Sequence, residues 1–305
     1  MDITASMVKE LRDMTACGMM ECKKALMETD GNIDAAVDFL RERGLAKAEK
    51  KAGRIAAEGI VATYTHTDGS YIMAEINAET DFAAKSDVFK EFVNSVLLQI
   101  ATNKPADIEA LLAEKCINDP SMDMNEYVKQ GIAKLGENMA VRRFVIIEKS
   151  ANALVESYIH AGGKIGVLVE LDCSVNSDTV KQAAKNVAMQ VAAASPKFLD
   201  RSEISAEFIA KEREINRAAA IAEGKPEKIV DKMVDGRIEK YIKEICLVDQ
   251  AYIIEPDINV TQYLTAVAKE VGAPISIKKF ARFEKGEGIE KKEENFAEEV
   301  AKQIK

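Results

Sequence analysis

The segments IVATYTHTDG at residues 60–69 and LVESYIHAGG at residues 154–163 align at a constant offset of 94, and this duplication decides the fold. Both segments are typical of a strand followed by a turn. AEIN at 74–77 then matches VELD at 169–172 at an offset of 95, which predicts the second strand of each hairpin. An internal repeat of this kind predicts two related halves.

The duplication continues after the hairpins. Helices are predicted at 87–101 and 177–194, and GENMAVRRFVIIEK at 136–149 matches GAPISIKKFARFEK at 272–285, each as a helix end that leads into a strand. The offset has grown from 94 to 136, so the second half contains an insertion.

Residues 203–246 supply that insertion and predict two antiparallel helices, with Gly224 and Pro226 at the turn. We expect a projecting hairpin with coiled-coil character. The predicted seam pairs Ile204, Phe208, Ile215 and Ile221 with Ile229, Met233, Tyr241 and Ile245.

The N-terminal residues 2–44 predict three short helices, because apolar residues recur there at helical spacing. Asn32 is the predicted N-cap of a third helix over Ile33–Arg43, and Gly44 is predicted to end it. The basic run Arg41–Arg54 is then interpreted as a solvated helix end and a tether.

The sequence therefore predicts an α+β protein with four parts. These are a helical domain with its tether at 1–54, a first core half at 55–150, a second core half at 151–285 with the hairpin at 203–246, and a C-terminal helix at 286–305. For this last helix, a solvated tail and a docking segment both stay open.

Composition excludes several classes of function. The net charge of −9 disfavours direct binding of nucleic acid, although a nucleic-acid-binding module that uses Arg41–Arg54 with Arg142 and Arg143 stays as an alternative. Five scattered cysteines are typical of free thiols in a reducing compartment. The N-terminus does not read as a signal or transit peptide, and no apolar run approaches the roughly 20 residues of a membrane span, so we expect a cytoplasmic protein.

Catalytic and metal-binding patterns are missing from the sequence. The two histidines, His66 and His160, occupy equivalent positions in the duplicated hairpins, so the repeat explains them. AGGKI at 161–165 lacks the first glycine and the final Ser or Thr of a phosphate-binding loop. We therefore expect no enzyme activity, no metal site and no cofactor.

The two halves differ in the loop after the hairpin. NAETDFAAKSD at 77–87 contains an acid and an aromatic ring, Asp81 and Phe82, whereas the counterpart DCSVNS at 172–177 has neither. A ring that only packed the core would be expected in both halves, which favours a role outside the fold. The alternative buries Phe82 and lets Asp81 or Ser86 cap the next helix.

A series of motifs gives the chain a family resemblance. They are SMVKELR at 6–12, GMMECKKAL at 18–26, KKAG at 50–53, TDF at 80–82, RR at 142–143, His160, IGVLV at 165–169, GKP at 224–226 and RFEKGEGIE at 282–290. In this order and spacing the chain closely resembles the bacterial elongation factor Ts family, the guanine nucleotide exchange factors of the GTPase elongation factor Tu in translation.

The resemblance implies a ubiquitin-associated-like N-terminal domain and a loop that enters the partner's nucleotide site and dislodges Mg²⁺. That role maps onto Thr80, Asp81, Phe82 and Ala83, where Ala83 replaces the usual Val and is expected to reduce partner contact. The implied partner-binding residues are Lys9, Arg12, Met19, Met20, Lys23 and Lys51 in the N-terminal part, with His160 and Gly166 in the second half. A dimer, a heterotetramer with the partner and a non-exchanging adaptor stay open.

Overall fold

The computed structural model describes residues 3–15, 17–148 and 150–290. Within these ranges the chain forms an α+β fold with N-terminal helices and two three-stranded antiparallel sheets packed with helices. The helices are α1 Ala5–Thr15, α2 Met19–Glu28, α3 Ile33–Lys51, α4 Asp81–Lys85, α5 Asp87–Asn103, α6 Ile108–Ala113, α7 Met124–Leu135, α8 Asp178–Ala194, α9 Ala206–Ala222, α10 Glu227–Ile245 and α11 Val260–Val271. The strands are β1 Glu58–Thr65, β2 Tyr71–Ala78, β3 Met139–Ile147, β4 Ala153–His160, β5 Ile165–Asp172 and β6 Ser276–Glu284.

The chain forms two compact units. The first contains the described residues up to His66, then Ile72–Ile146, and the segment that begins at Glu284. The second contains Thr67–Tyr71 and Ile147–Phe283.

The N-terminal helices α1, α2 and α3 enclose a small core of their own. Its buried residues are Leu11, Cys22, Ala25, Leu26, Ala36 and Leu40. Asn32 caps α3 as predicted, because its Oδ1 accepts a hydrogen bond from the Ala35 N–H at 3.0 Å.

The prediction that Gly44 ends the third helix is wrong, because α3 continues to Lys51. The helix packs along α7, and a Cβ at Gly44 would lie 3.1 Å from the Ala133 Cβ, so the glycine lets the two helices approach closely. Most of the basic run is therefore helix rather than tether. The ion pair between Lys129 and Glu49, at 3.0 Å, joins α7 to this extension.

The first sheet has the order β1-β2-β3, so β2 is the central strand. The inward side chains of β2 pack against α5 and α7, with Ile72, Ile76 and Phe89 fully buried. Ala48 of α3 joins this same cluster, so the extended third helix is part of the first core.

The second sheet repeats this plan in the order β4-β5-β6. Strand β4 pairs antiparallel with β5 from Ala153↔Asp172 to His160↔Ile165. Helices α8 and α11 cover it, and Val187 and Leu264 are among the residues of its core. The two sheets thus have the same strand order, and each is packed with helices.

The insertion forms two antiparallel helices, α9 and α10, as predicted, and the predicted seam is correct in part: Ile245 is buried, and Ile204, Phe208 and Tyr241 pack against the same cluster. The other part of the predicted seam is wrong. Ile215, Ile221 and Ile229 are exposed. Besides Ile245, the buried residues are Ala220, Val230, Val234, Ile238, Ile242 and Cys246, which the prediction did not include. With 17 and 19 residues, the helices are shorter than the three to four heptads typical of a coiled coil, so coiled-coil character has no support.

The C-terminal helix predicted at 286–305 does not begin at 286, because residues 285–288 form a turn after β6. The rest of that prediction, residues 291–305, lies outside the described residues. The turn packs on the first sheet: a Cβ at Gly286, whose φ is +71°, would lie 2.3 Å from the Ala57 carbonyl oxygen.

A buried carboxylate lies at the centre of each sheet. Glu75 in β2 contacts Arg142 at 2.9 Å and Arg143 at 2.7 Å. Glu170 in β5 contacts Lys278 at 3.1 Å and Lys279 at 3.3 Å, the residues that the repeat offsets relate to the two arginines. Each half thus neutralises its central acid with two cations from its third strand.

Candidate functional site

Asp81 and Phe82, which we call the finger, lie in the first turn of α4. Phe82 is 82% exposed, the largest exposed fraction of any large hydrophobic residue in the described part of the chain. The alternative in which this ring packs in the protein's own core is therefore wrong. A solvent-exposed phenylalanine at a helix start is available to a partner.

The helix that carries the finger is short because a cap limits it at each end. Thr80 begins it, since its Oγ1 accepts a hydrogen bond from the Ala83 N–H at 3.1 Å. Ser86 ends it by donating its hydroxyl to the Ala83 carbonyl at 2.7 Å. The same Ser86 hydroxyl accepts from the Phe89 N–H at 3.2 Å and so also begins α5. The alternative was therefore right about this cap, although it was wrong about Phe82.

Asp81 is charged at neutral pH. The Lys85 ammonium donates a hydrogen bond to the Asp81 carboxylate at 2.7 Å, and this contact lowers the pKa of the Asp81 carboxyl. The same ammonium lies 6.0 Å from the centre of the Phe82 ring. Lys85 therefore contacts both residues of the finger while all three stay exposed.

Ala83 faces the opposite way. Its side chain is only 7% exposed and belongs to the core of the first unit. The expectation that the smaller residue reduces contact with a partner stays a prediction, because it concerns the bound state. The small side chain packs α4 onto its own unit.

Residues far along the chain hold the base of the finger. Thr80 donates its N–H and its hydroxyl to the Glu137 carboxylate, at 3.0 Å each. The Asn138 N–H donates to Glu79 at 2.6 Å, and the Asn138 amide donates to the Arg54 carbonyl at 2.7 Å. The sequence prediction missed Glu137 and Asn138, although GENM in the first half and GAPI in the second differ at these positions.

The predicted partner-binding residues of the N-terminal helices are exposed, with one exception. Met19 is 58% exposed and Met20 is 77% exposed, at the start of α2. Lys9, Arg12 and Lys23 are also exposed. Lys51 is half-buried, and its ammonium donates to the Gly136 carbonyl, so it joins the end of α3 to the α7–β3 turn.

Two exposed methionines of the same helices were not predicted to be partner-binding residues. Met14 is 59% exposed and Met27 is 61% exposed. Their helical spacing resembles that of core residues, so the sequence offered no local signal for their exposure.

The two candidates of the second unit differ in exposure. His160 is exposed at the end of β4, where the Tyr158 hydroxyl lies 3.0 Å from the His160 Nδ1. Gly166 is buried in β5 and pairs with Ile159 in the sheet. Only the histidine side chain is accessible in the free chain.

Three further properties of the described residues bear on function. They contain no group of three or more His, Cys, Asp or Glu residues that could hold a metal ion. Their helices include none with the length and apolar composition of a membrane span. The five cysteines, all within the described ranges, are unpaired.

The chain is similar to known proteins over almost its whole length. The family model described as Elongation factor TS matches residues 79–287. The chain is 54% identical over 303 residues to elongation factor Ts of Clostridium novyi (strain NT), with 99% of both chains covered. It is 52% identical to elongation factor Ts of Clostridium kluyveri (strain NBRC 12016) and 54% identical to that of Clostridium tetani (strain Massachusetts / E88), each with 99% coverage of both chains.

Proposed function

This chain belongs to the elongation factor Ts family, and we propose that it releases nucleotide from elongation factor Tu by displacing Mg²⁺ with the finger, Asp81 and Phe82. The family's members are nucleotide exchange factors and not catalytic enzymes. The proposal therefore concerns how this chain exchanges nucleotide, and its single strongest support is the 82% exposure of the Phe82 ring.

The chemistry of the finger suits removal of a metal from a nucleotide site. Mg²⁺ requires near-ideal octahedral geometry and bridges the phosphates of a bound nucleotide. The Phe82 ring displaces partner side chains around the metal, and the Asp81 carboxylate brings a negative charge beside the phosphates. Without Mg²⁺ the nucleotide loses electrostatic support, and each loss of about 1.4 kcal/mol weakens its binding about tenfold.

Release of the exchange factor follows from linkage. When the factor weakens nucleotide binding, nucleotide weakens binding of the factor by the same ratio. Fresh GTP at high concentration therefore drives the factor off and completes the cycle.

The remaining partner contacts and the domain organisation belong to the same proposal. The exposed surface of the N-terminal helices, around Met20 with Lys9, Arg12, Met19 and Lys23, binds the GTPase domain of elongation factor Tu. Their three-helix core supports a ubiquitin-associated-like domain at 1–54. His160 and Gly166 belong to a second contact, in which Gly166 contributes through its strand rather than a side chain. Lys51 donates a hydrogen bond to the Gly136 carbonyl, and we assign it a supporting role in the contact with the GTPase domain.

The proposal is tested with the double variant Asp81→Ala/Phe82→Ala. Stopped-flow fluorescence follows the loss of a fluorescent GDP from elongation factor Tu after the chain is added. We expect the double variant to fold normally and to lose most of the acceleration. Asn176→Ala, the exposed counterpart of Asp81 in the second half, serves as the control and should match the unmodified chain.

The role of Mg²⁺ is tested by repeating this comparison after chelation of the metal. If the finger acts by displacing Mg²⁺, its loss matters much less once the metal has been removed. An equal defect with and without Mg²⁺ would contradict displacement, and full acceleration by the double variant would contradict any role of the finger.

A further inference from the structure

The Glu137 carboxylate holds the loop from which the finger extends. It accepts the Thr80 N–H and the Thr80 hydroxyl at 3.0 Å, from 57 residues away in sequence. The proton of that hydroxyl is thus directed to Glu137, which leaves an oxygen lone pair for the Ala83 N–H that begins α4. Glu137 therefore fixes both the position of Thr80 and the cap of the finger's helix.

A second set of contacts ties the same loop to the end of α3. Asn138 is 5% exposed and donates its amide to the carbonyls of Ala52 and Arg54, at 3.3 and 2.7 Å. Glu79, next to Thr80, accepts the Asn138 N–H at 2.6 Å and lies 3.5 Å from the Arg54 guanidinium. The base of the finger is consequently attached to two different parts of its unit.

The second half shows that the fold itself does not need this polar pair. At the repeat offsets of 95 and 136, Thr80 corresponds to Val175 and Glu137 corresponds to Ala273. Val175 and Ala273 are partly buried and pack against the second core. The half without a finger thus has two apolar residues at the positions where the half with a finger has the hydrogen-bonded Thr80 and Glu137.

We infer that Glu137 is a positioning residue for nucleotide exchange, which acts through Thr80 and touches neither the nucleotide nor its metal. The inference rests on the proposed function, because it assumes that the finger performs the exchange. Three hydrogen-bond contacts from one residue to one carboxylate restrict both the position and the orientation of Thr80, so they hold the finger in its active place before the partner arrives. A displacement of about 1 Å in such a group can reduce a rate about 100-fold.

The experiment compares Glu137→Ala, Glu137→Gln and Thr80→Val/Glu137→Ala with the unmodified full-length chain. The double variant carries the two residues that pack against the second core, so it leaves no unpaired polar side chain at these positions, and it also removes the Thr80 cap of α4. Glu91→Ala is the matched control, since Glu91 is an exposed acid on α5 of the same unit. Release of fluorescent GDP is measured over a range of factor concentrations, and thermal unfolding is measured in parallel.

We expect Glu137→Ala and the double variant to lower the maximal release rate at least tenfold. The concentration that gives half of that rate should change less than about twofold, because the other contact surfaces are unaltered. Glu137→Gln keeps one oxygen acceptor for Thr80 and should recover much of the rate. Glu91→Ala should match the unmodified chain.

Other outcomes separate this inference from the proposed function. If Phe82→Ala lowers the rate but the three Thr80 and Glu137 variants do not, the positioning role is wrong and the finger stands. If Asp81→Ala/Phe82→Ala also has no effect, the proposed function itself is wrong. A Glu137 variant could also reach the full maximal release rate at a temperature where thermal unfolding shows it to be completely folded. Glu137 would then only stabilise the fold, and the inference would be wrong.

Discussion

Replacement of Glu75 by Gln should destabilise the first unit more than replacement of Glu170 by Gln destabilises the second. Glu75 is inaccessible to solvent and accepts hydrogen bonds from the Gly286 N–H at 2.7 Å, from both arginines and from Asn77 at 3.2 Å. Glutamine keeps the shape of the side chain, but it removes the charge and directs an N–H₂ group at these donors.

The structure sets the expected magnitude. Removal of one partner from a buried ion pair costs about 3–5 kcal/mol. Arg142 and Arg143 are 28% and 31% exposed, so water replaces part of what they lose, and we expect about 2–4 kcal/mol. Lys278 and Lys279 are 50% and 49% exposed, so Glu170→Gln should cost about 1–2 kcal/mol.

The dependence on pH gives this prediction a second signature. Burial by itself raises the pKa of the Glu75 carboxyl, but the Gly286 N–H and the two arginines lower it below the ordinary value of 4.5. A carboxyl whose pKa is lower in the folded state stabilises the fold above its unfolded pKa. The difference between the unmodified chain and Glu75→Gln should therefore be complete near neutral pH and shrink as the pH falls below about 4.5.

The assay is urea-dependent hydrogen exchange with mass spectrometry, which reports the two sheets separately. Peptides from β1, β2 and β3 should lose protection in Glu75→Gln, and peptides from β4, β5 and β6 in Glu170→Gln. The reasoning fails if Glu75→Gln changes the free energy of unfolding by less than about 0.5 kcal/mol, or if Glu170→Gln is the more costly change.

Three further predictions concern stability. Gly286→Ala should lower the free energy of unfolding by about 2 kcal/mol, because its Cβ would lie 2.3 Å from the Ala57 oxygen at φ +71°. Thermal unfolding measures this loss, and an unchanged midpoint would contradict the described conformation of the turn. In the helical hairpin, Val234→Ala should cost about 2 kcal/mol and Ile229→Ala less than about 1, by chemical denaturation; the reverse order would restore the seam predicted from sequence. Phe82→Ala should shift stability by less than about 0.5 kcal/mol, and a larger loss by calorimetry would indicate that the ring supports the fold.

The sequence predicted the repeated architecture well, since strand pairs and helix ends recur at fixed offsets. The prediction from sequence failed where contacts between residues far apart in the chain determine where a helix ends or which of its faces is buried. Gly44 has the character of a helix end, yet α3 continues because its far side packs on α7 near Ala133. Likewise, Ile229 resembles a core residue, but the actual contact of α9 with α10 buries Val230 instead.

The candidate site was predictable in its exposed part only. The difference between the two loops predicted an external role for Asp81 and Phe82, and both side chains are exposed. Their support comes from Glu137, which no local pattern around residue 81 could reveal. Comparison of the two halves at that second position, Glu137 against Ala273, contains the missing signal.

The Glu75–Gly286 contact also constrains the order of events during synthesis. Glu75 leaves the ribosome 211 residues before the amide that completes its set of donors. Until Gly286 has been synthesised, the buried Glu75 carboxylate of the first sheet lacks one of its hydrogen-bond donors. The earliest-made sheet is therefore among the last to reach full stability, and a ribosome that stalls before the turn leaves this sheet weakened.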